Sequence, residues 1–474
     1  MRLRSATEDE FSTAWQAMTH SMVKYDITPR EDDGRNLALA IRKLQGGGIP
    51  GRPFVVWVPG CSWGNYLGDG ENLRQVIRQR FPDAPEVAYK KHMGSGTTFK
   101  FMGGWISQFV ASDYPDLVLI YTYGTPSDLD EALRAIRSRC TADIIVASGH
   151  FYAKEEETWR QTIDTPRWVE VRDVSHAQWP QIREVCQAHG VEYVENRREL
   201  ARYLEATGGT PKTLLLDPYH QNLLGSLLIN LNIARHLAIP KSFAYDPDSR
   251  ERRIRAELAL QKAPGDVVAQ GQWQRREDGS IATAQAGAKL TCAFKGNRVD
   301  LIGRALTNGG TVRVKIDGVP ADELKAYAMT FIRPDRGIAG EVAPHAVSLG
   351  ANVAPQEWSI TMLDTNGNYE LTGSVTGPDG RGNNRAKNAF VSQSGQIVID
   401  HALWRAPKEC FKGVWRWKVN RCTTGKVSFV DGTDKFMHER LAQNMAPGTH
   451  TAELDVVGDG PVAIDSFYVF NPPE

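Results

Sequence analysis

The first half of the chain alternates short apolar runs with amphipathic segments, and this alternation limits the possible folds more than any other feature. Continuous apolar runs, typical of strands buried on both faces, occur at residues 54–58, 87–89, 117–121, 144–147 and 214–216. Segments with apolar residues at helical spacing lie between them. Strands that alternate with helices form right-handed crossovers and a parallel sheet covered on both faces. The sequence therefore predicts an α/β domain over residues 35–245.

Three further segments surround this domain in the predicted organisation. Residues 1–34 carry apolar side chains at helical spacing and are expected to form an N-terminal helical extension. Residues 246–264 contain a run of charged residues and are predicted to be a linker or connecting helix. From residue 265 onward, short β-rich segments alternate with Gly, Asn and Asp turns. Residues 265–474 are therefore expected to form one antiparallel β-sandwich.

Composition excludes several classes of protein. A chain of 474 residues with 41% apolar and 24% charged residues is typical of two or three globular domains. Lys plus Arg and Asp plus Glu both number 56, so no overall basic surface favours a nucleic-acid partner. No apolar stretch is long enough to predict a transmembrane helix. The N-terminus lacks an apolar signal segment, so we expect a cytoplasmic protein, or a periplasmic or secreted one from which a signal peptide has been removed.

The six cysteines match neither a zinc-ligand spacing nor the framework of a small disulfide-rich domain. Most are expected to be buried thiols, although Cys410 and Cys422 could face each other across a hairpin. We expect no metal and no cofactor.

Three loops at the carboxyl ends of predicted strands carry the residues with the clearest chemistry. Ligands of open parallel sheets bind beyond these strand ends. The first strand is followed by Gly-Cys-Ser-Trp-Gly-Asn at residues 60–65, the second by His-Met-Gly-Ser-Gly-Thr-Thr at residues 92–98, and the fifth by Asp-Pro-Tyr-His at residues 217–220. Together these loops offer a nucleophile, backbone donors and an Asp/His pair.

Ser62 is the candidate nucleophile. A serine hydroxyl needs a base to take its proton, and a histidine base works best when a carboxylate fixes its tautomer. Asp217 and His220 are three residues apart, which lets the carboxylate reach Nδ1 and leaves Nε2 to face Ser62. Gly94 and Gly96 would let backbone N–H groups approach an oxyanion, an effect worth about a hundredfold or more in rate.

These motifs resemble those of the SGNH (GDSL-like) hydrolases. Residues 60–65 are similar to block I of that family, with Cys61 where the family has Asp, and the Gly94/Gly96 loop is similar to block II. Asp217-x-x-His220-x-Asn222-x-x-Gly225 is very similar to block V. The resemblance covers roughly residues 35–240 and implies a three-layer, flavodoxin-like α/β/α domain.

Carried over motif by motif, the resemblance assigns a role to four residues. Ser62 would be the nucleophile and a backbone oxyanion donor, and Gly94 the second donor. His220 would be the base and Asp217 the residue that orients it.

This sequence departs from block III of the family. The family has Gly-x-Asn, whereas residues 124–128 read Gly-Thr-Pro-Ser-Asp and place Pro126 at the Asn position. Proline has neither a side-chain donor nor an N–H. Ser127 and Asn65 are therefore the candidates for a third oxyanion donor.

Each of these residues also has a simpler interpretation. Ser62 could cap the following helix, and the glycines could only shape a turn. Asp217 and His220 could be metal ligands, although no third ligand lies at a supporting spacing. His150 follows the fourth strand and could contact substrate, but a structural role is favoured.

The second half offers weaker indications of a ligand. Its tryptophans could form a platform for sugar rings, but they could equally fill the sandwich core: Trp273, Trp358, Trp404, Trp415 and Trp417. Its basic residues could be a solvated face or could meet an anionic polysaccharide: Lys408, Lys412, Arg416, Lys418 and Arg421. Several segments resemble jelly-roll modules of the galactose-binding-like type, which accompany many carbohydrate-active enzymes.

The sequence therefore predicts a serine esterase that removes acyl groups, O-acetyl above all, from a polysaccharide or oligosaccharide. One alternative is a carbohydrate-binding protein with a degenerate hydrolase domain. A glycoside hydrolase using Asp69, Glu71 or Asp128 is the other.

Overall fold

The computed structural model describes residues 25–94, 96–162, 179–261, 265–332, 346–404, 413–430, 432 and 434–473. Residues 1–24 of the expected helical extension lie outside these residues. So does Cys410, which was considered as a partner of Cys422. Residues 25–34 consist of extended chain and turns, so the described part of the expected helical extension is not helical.

A parallel sheet with strand order β2-β1-β3-β4-β5 forms the centre of the N-terminal domain. Its strands are β1 (Phe54–Gly60), β2 (Val87–Met93), β3 (Leu117–Ile120), β4 (Asp143–Ala147) and β5 (Glu192–Val194). Strands β1, β3 and β4 are buried along their whole length, as their continuous apolar runs predicted. The order reverses beside β1, as in flavodoxin-like folds, and the predicted α/β/α architecture is confirmed.

Eight described helices accompany this sheet. They are α1 (Ala38–Arg42), α2 (Ser62–Tyr66), α3 (Glu71–Arg80), α4 (Met102–Asp113), α5 (Pro126–Arg137), α6 (Trp179–Ala188), α7 (Asn196–Thr207) and α8 (Leu223–Arg235). Helix α5 shows how local sequence sets a helix start: Thr125 is its N-cap and accepts the Asp128 N–H, and Pro126 occupies the first position.

The predicted fifth strand at residues 214–216 is wrong. Residues Pro211–Leu214 form a 3₁₀ turn, and Leu215 makes only an isolated antiparallel bridge with Gln221. A run of three apolar residues does not distinguish a strand from a turn, and Leu216 is in fact exposed. The fifth strand of the sheet is β5, which lies earlier in the chain.

The C-terminal part is built of antiparallel sheets, as predicted, and these sheets form two β units. The first β unit has two antiparallel sheets with its own apolar core, with strand orders β13-β12-β24-β10-β7 plus β22, and β23-β11-β25-β9-β8 plus β6. Its strands are β6 (Glu251–Arg255), β7 (Val267–Gln270), β8 (Gln274–Arg275), β9 (Ile281–Thr283), β10 (Lys289–Lys295), β11 (Arg298–Ala305), β12 (Thr311–Ile316), β13 (Val319–Pro320), β22 (Lys426–Ser428), β23 (Lys435–Ala442), β24 (Thr449–Val456) and β25 (Val462–Phe470).

The second β unit is inserted between β13 and β22. It comprises a sheet of order β14-β21-β16-β17-β18 and a smaller one of order β15-β20-β19. Its strands are β14 (Tyr327–Ile332), β15 (Val347–Leu349), β16 (Glu357–Met362), β17 (Asn368–Gly373), β18 (Gly377–Asn383), β19 (Phe390–Val391), β20 (Ile397–Ile399) and β21 (Val414–Arg421). Strand β14 packs on helix α4, so this unit and the α/β domain share one apolar core.

The tryptophans of the second half lie in these cores and not on a sugar-binding platform. All five named above are at least nine-tenths buried, and Trp404 packs edge to face on Trp415 with ring centroids 5.5 Å apart. Arg416 and Lys418 alternate with Trp415 and Trp417 along β21 and are exposed. This alternation is that of a strand with one core face and one solvated face.

Part of the predicted linker is a strand. Residues Glu251–Arg255 form β6, which pairs antiparallel with β25 in the first β unit. Glu251 is buried although it is charged, because its partners come from the α/β domain. No local pattern in the sequence could reveal those partners.

A buried charge cluster joins the α/β domain to β6. Lys43 Nζ lies 2.6 Å from Asp116 and 2.8 Å from the Glu251 carboxylate. Burial opposes the positive charge, but these two carboxylates raise the pKa of Lys43 above its usual value. These three side chains are each less than 5% exposed, and Arg52, 2.7 Å from Asp116, supplies the second positive charge, so two cations face two carboxylates.

Replacing Lys43 by methionine should lower the free energy of unfolding by about 3–5 kcal/mol, because it leaves the buried Glu251 carboxylate without its cation and Asp116 with Arg52 alone. Chemical denaturation of the wild type and Lys43→Met measures this. Lys241→Met is the matched control, because Lys241 pairs with Glu31 on an exposed surface. It should cost less than about 1 kcal/mol. Equal losses in the two variants would contradict the role of the cluster.

Candidate active site

Ser62 lies at the point where β1 ends and α2 begins. Gly60 has a φ of +151°, and a Cβ there would come within 3.3 Å of Thr122 on the neighbouring β3 side, so glycine allows the close exit of the chain. The N-cap position of α2 belongs to Cys61, and Ser62 is the first helical residue. Its hydroxyl is directed to His220 and does not cap the helix.

Ser62, His220 and Asp217 form a hydrogen-bonded row. Ser62 Oγ is 2.9 Å from His220 Nε2, and His220 Nδ1 is 2.8 Å from Asp217 Oδ2. A carboxylate accepts, so Nδ1 carries the proton and Nε2 is left to accept from the serine hydroxyl. This is the arrangement of a nucleophile, a base and the group that orients the base.

Asp217 is held by more than the histidine ring. Its Oδ1 accepts the backbone N–H groups of Tyr219 at 2.8 Å and His220 at 2.9 Å. Partial desolvation works against the charged form, but the hydrogen bonds from the His220 ring and from the two backbone groups lower the pKa of Asp217. The carboxylate therefore stays ionised and keeps His220 in the tautomer that can act as a base.

The turn that carries Asp217 and His220 is closed at its base. The Leu215–Gln221 bridge is supported by a hydrogen bond from Leu216 N–H to the His220 carbonyl at 2.8 Å. Asn222 caps α8 by accepting the Gly225 N–H at 3.0 Å. A Cβ on Gly225 would come within 2.5 Å of the Leu214 carbonyl oxygen, so the close packing of helix and turn needs glycine there.

His150 is hydrogen-bonded to the backbone of this turn. Its Nε2 is 2.9 Å from the Tyr219 carbonyl oxygen and its Nδ1 is 2.7 Å from the Tyr121 hydroxyl. A carbonyl can only accept, so Nε2 carries the proton and Nδ1 accepts from tyrosine. Desolvation lowers the pKa of His150 to about 3, so the ring is neutral at ordinary pH. The structural role favoured for His150 is thus a contact to the backbone between Asp217 and His220.

Gln221 directly connects the turn that carries His220 to the helix that carries Ser62, and the sequence analysis did not identify it. Its Nε2 donates to the Trp63 carbonyl at 2.8 Å, which joins the residue after His220 to the residue after Ser62. The side chain is buried, and its Oε1 has no hydrogen-bond partner among the described residues. Its place inside the block V motif was the only sequence signal available.

Tyr66, at the end of α2, covers the other side of the base. Its ring stacks on the His220 imidazole with centroids 4.7 Å apart and an interplanar angle of 22°. Burial, with a smaller effect of the Asp217 charge, raises the pKa of Tyr66. The imidazole is thereby held in its plane by Tyr66 as well as by Asp217.

The predicted oxyanion donors are not gathered as expected. The Gly94 N–H donates to the Gly60 carbonyl at 3.0 Å, which contradicts its expected availability as the second donor. Ser62, as the first residue of α2, has an N–H without an acceptor inside the helix. Gly96 lies in the loop after β2 with a φ of +61°, and its role stays a prediction.

Both candidates for the third donor have other hydrogen-bond partners in this structure. Asn65 Oδ1 is 3.4 Å from Lys91 Nζ. Ser127 is exposed, and its hydroxyl is 3.0 Å from the Thr125 side chain at the start of α5. Pro126 takes the first position of that helix, which explains why a proline is accommodated where the family has Asn.

The carboxylates considered for glycosidic cleavage also have other partners. Asp69 pairs with Lys91, and a Glu71 oxygen accepts the Asp69 N–H. Asp128 accepts from the Thr125 hydroxyl at 2.7 Å. Within the described residues, no group of three or more His, Cys, Asp or Glu side chains is placed to hold a metal ion. No helix in this part of the chain is long and apolar enough to cross a lipid bilayer.

Comparison with known proteins gives distant structural matches only. No family model and no curated protein matches the chain. A two-domain esterase active on acetylated mannans is 10% identical over 93% of this chain and 96% of that chain, with a TM-score of 0.33. An acetylxylan esterase from Geobacillus stearothermophilus is 15% identical over 40% of this chain and 97% of that chain, with a TM-score of 0.30.

The strand order of the sheet is that of the flavodoxin-like architecture implied by the SGNH resemblance, and Ser62, His220 and Asp217 lie together at its carboxyl edge. The N-terminal half has a flavodoxin-like α/β fold.

The low pKa of His150 predicts a pH effect on stability. In the unfolded chain this histidine takes up a proton below about pH 6.5, whereas in the folded protein it remains neutral until about pH 3. Stability should therefore fall as pH drops through this window. His150→Gln keeps an N–H for the Tyr219 carbonyl but cannot titrate, so its free energy of unfolding should fall less steeply. Denaturant titrations at half-unit intervals measure both slopes, and parallel curves would refute a buried neutral histidine.

Proposed function

We propose that this protein is a serine esterase that removes acyl groups, O-acetyl above all, from a polysaccharide or oligosaccharide. The observation that carries the proposal is the row of Ser62, His220 and Asp217, with hydrogen bonds of 2.9 and 2.8 Å. A buried histidine, a stacked tyrosine and two backbone groups hold this row in place. Such preorganisation is what nucleophilic catalysis by serine requires.

The acylation step uses the two hydrogen bonds of His220. As Ser62 Oγ bonds to the ester carbonyl carbon, its proton passes to His220 Nε2, and the carbonyl oxygen becomes an oxyanion. Asp217 stabilises the imidazolium that forms. When the oxyanion collapses, the bond from the carbonyl carbon to the sugar oxygen breaks, and that oxygen takes the proton from His220. The sugar leaves with a free hydroxyl, and the acyl group remains on Ser62.

Deacylation repeats the same proton transfers with water. His220 takes a proton from water as the water oxygen bonds to the acyl carbon, and it then returns a proton to Ser62 Oγ as that ester bond breaks. The products are a carboxylic acid and the regenerated serine. The Ser62 N–H at the start of α2 is the backbone donor that the proposal assigns to the oxyanion.

A carbohydrate substrate is supported by the domains attached to this site. The first β unit is an antiparallel sandwich, and its sequence resembles modules that accompany carbohydrate-active enzymes. The five tryptophans considered for an aromatic platform are buried in the cores, and we assign sugar recognition to the rim of the active site.

Ser62→Ala should abolish acetate release from acetylated glycans, with a loss of about 10⁴-fold or more, because nucleophile and base act as one unit. Acetate is measured after incubation with acetylated xylan, mannan and their oligosaccharides. Ser138→Ala is the matched control, because the hydroxyl of this exposed serine at the end of α5 contacts only the Ala135 carbonyl and the neighbouring Arg139 side chain. Equal acetate release by wild type and Ser62→Ala would overturn the proposal.

A second candidate function follows from the engaged Gly94 N–H and from Pro126. With two family oxyanion donors unavailable, the chain would be a carbohydrate-binding protein on a degenerate hydrolase scaffold.

A serine-directed fluorophosphonate separates the two functions. It should label the wild type but not Ser62→Ala, because only a serine activated by its base reacts. Mass spectrometry of the labelled peptide locates the adduct. An unlabelled wild type that still binds acetylated glycans would establish the second function instead.

A further inference from the structure

The turn that carries the catalytic pair exposes three large apolar side chains. Leu216 is 59% exposed, Tyr219 57% and Leu223 44%, and they alternate with Asp217 and His220 along eight residues. The other large apolar side chains exposed among the described residues of this domain, Ile239 and Phe243, both follow α8. Clustered exposed apolar groups beside a reactive centre indicate a surface that binds something.

Tyr219 is fixed more firmly than an exposed side chain usually is. Its N–H donates to Asp217 Oδ1 at 2.8 Å, and its carbonyl accepts from His150 at 2.9 Å. Its ring meets the Tyr152 ring edge to face, with centroids 5.4 Å apart and an angle of 85°. A ring held in this way loses little conformational freedom when a ligand binds.

We propose that Tyr219 is the sugar-stacking residue of the subsite next to Ser62, a proposal that rests on the proposed function. An edge-to-face contact with Tyr152 covers at most one face of the Tyr219 ring. The remaining face is flat, apolar and one residue from the base. It suits the C–H face of a pyranose, whose hydroxyls stay hydrated at the rim, and the tyrosine hydroxyl can bond to one of them.

This placement also explains why the exposed aromatic group lies on the catalytic turn. The His220 proton must reach the sugar oxygen that leaves during acylation. A sugar stacked on Tyr219, the residue before His220, is held beside the group that protonates it. Leu216 and Leu223 extend the apolar surface on either side of the ring.

Three substitutions of Tyr219 separate stacking from other roles. Tyr219→Ala removes the ring, Tyr219→Leu keeps apolar area without a flat face, and Tyr219→Phe keeps the face without the hydroxyl. On an acetylated xylo- or manno-oligosaccharide, Ala and Leu should raise KM about tenfold, whereas Phe should change it about two- to threefold. On p-nitrophenyl acetate, which has no sugar, the Ala and Leu variants should lose much less kcat/KM than they lose on the oligosaccharide.

Phe243→Ala is the control for loss of an exposed aromatic ring. Phe243 follows α8, whose 13 residues span about 20 Å and separate it from the catalytic turn. It should leave KM for the oligosaccharide unchanged.

Several outcomes would overturn the proposal. Equal losses on the oligosaccharide and on p-nitrophenyl acetate would show that Tyr219 only maintains the turn. An unchanged KM in Tyr219→Ala would show that the sugar binds elsewhere. A loss confined to p-nitrophenyl decanoate would assign the surface to an acyl chain.

Failure of the proposed function gives a different result. If Ser62→Ala hydrolyses p-nitrophenyl acetate as fast as the wild type, the esterase assignment fails whatever the Tyr219 variants do. If hydrolysis depends on Ser62 and only the oligosaccharide KM fails to respond, the esterase assignment stands and the stacking proposal falls.

Discussion

Strand β1 lies between β2 and β3, and this position determines where a site can form. Chain segments that leave neighbouring parallel strands in opposite directions open a crevice at the carboxyl edge of the sheet. Ser62 is placed there because β1 ends at Gly60 and α2 starts two residues later. The turn that carries Asp217 and His220 comes from the C-terminal end of the α/β domain and must reach this point. The N-cap of helix α8 anchors that turn. The reversal of strand order thus fixes the position of Ser62, and the other parts of the candidate site are arranged around it.

Two buried polar side chains position the turn that carries Asp217 and His220 relative to Ser62. His150 bonds to the Tyr219 carbonyl, and Gln221 bonds to the Trp63 carbonyl. Each contact crosses between segments far apart in sequence, and each ends on backbone, which moves less than a side chain. These hydrogen bonds are strengthened by the low dielectric of the interior, and they also orient the turn. Orientation matters because a displacement of about 1 Å can cost a hundredfold in rate. The Asp217 carboxylate is therefore aligned by the fold before any substrate arrives.

Sequence alone was sufficient where the signal is local. Long buried runs predicted β1, β3 and β4, and the spacing of Asp217 and His220 predicted a pair that the structure joins by a hydrogen bond. Prediction from sequence failed where the deciding interaction joins residues that are far apart in the chain. From the sequence, Glu251 is predicted to be part of a charged linker, because Lys43, the buried cation that pairs with it, lies about two hundred residues earlier.

The same limit applies to the β units and to the oxyanion donors. Strands β13 and β22 flank an insertion of about a hundred residues, which no turn or alternation pattern reveals. The Gly94 N–H was assigned from a motif, but its acceptor, Gly60, belongs to another strand end. Gln221 was passed over because a glutamine beside a catalytic histidine has no distinctive spacing.

The inserted second β unit has a consequence for how the molecule is built. Helix α4 of the α/β domain packs on β14, and the two share one apolar core. Cutting the chain after residue 245 would leave that helix face in water, so the hydrolase half is not a separable minimal enzyme. Folding of the α/β sheet and of the second β unit should therefore be coupled, and during synthesis α4 gains its packing partner only after β14 has emerged.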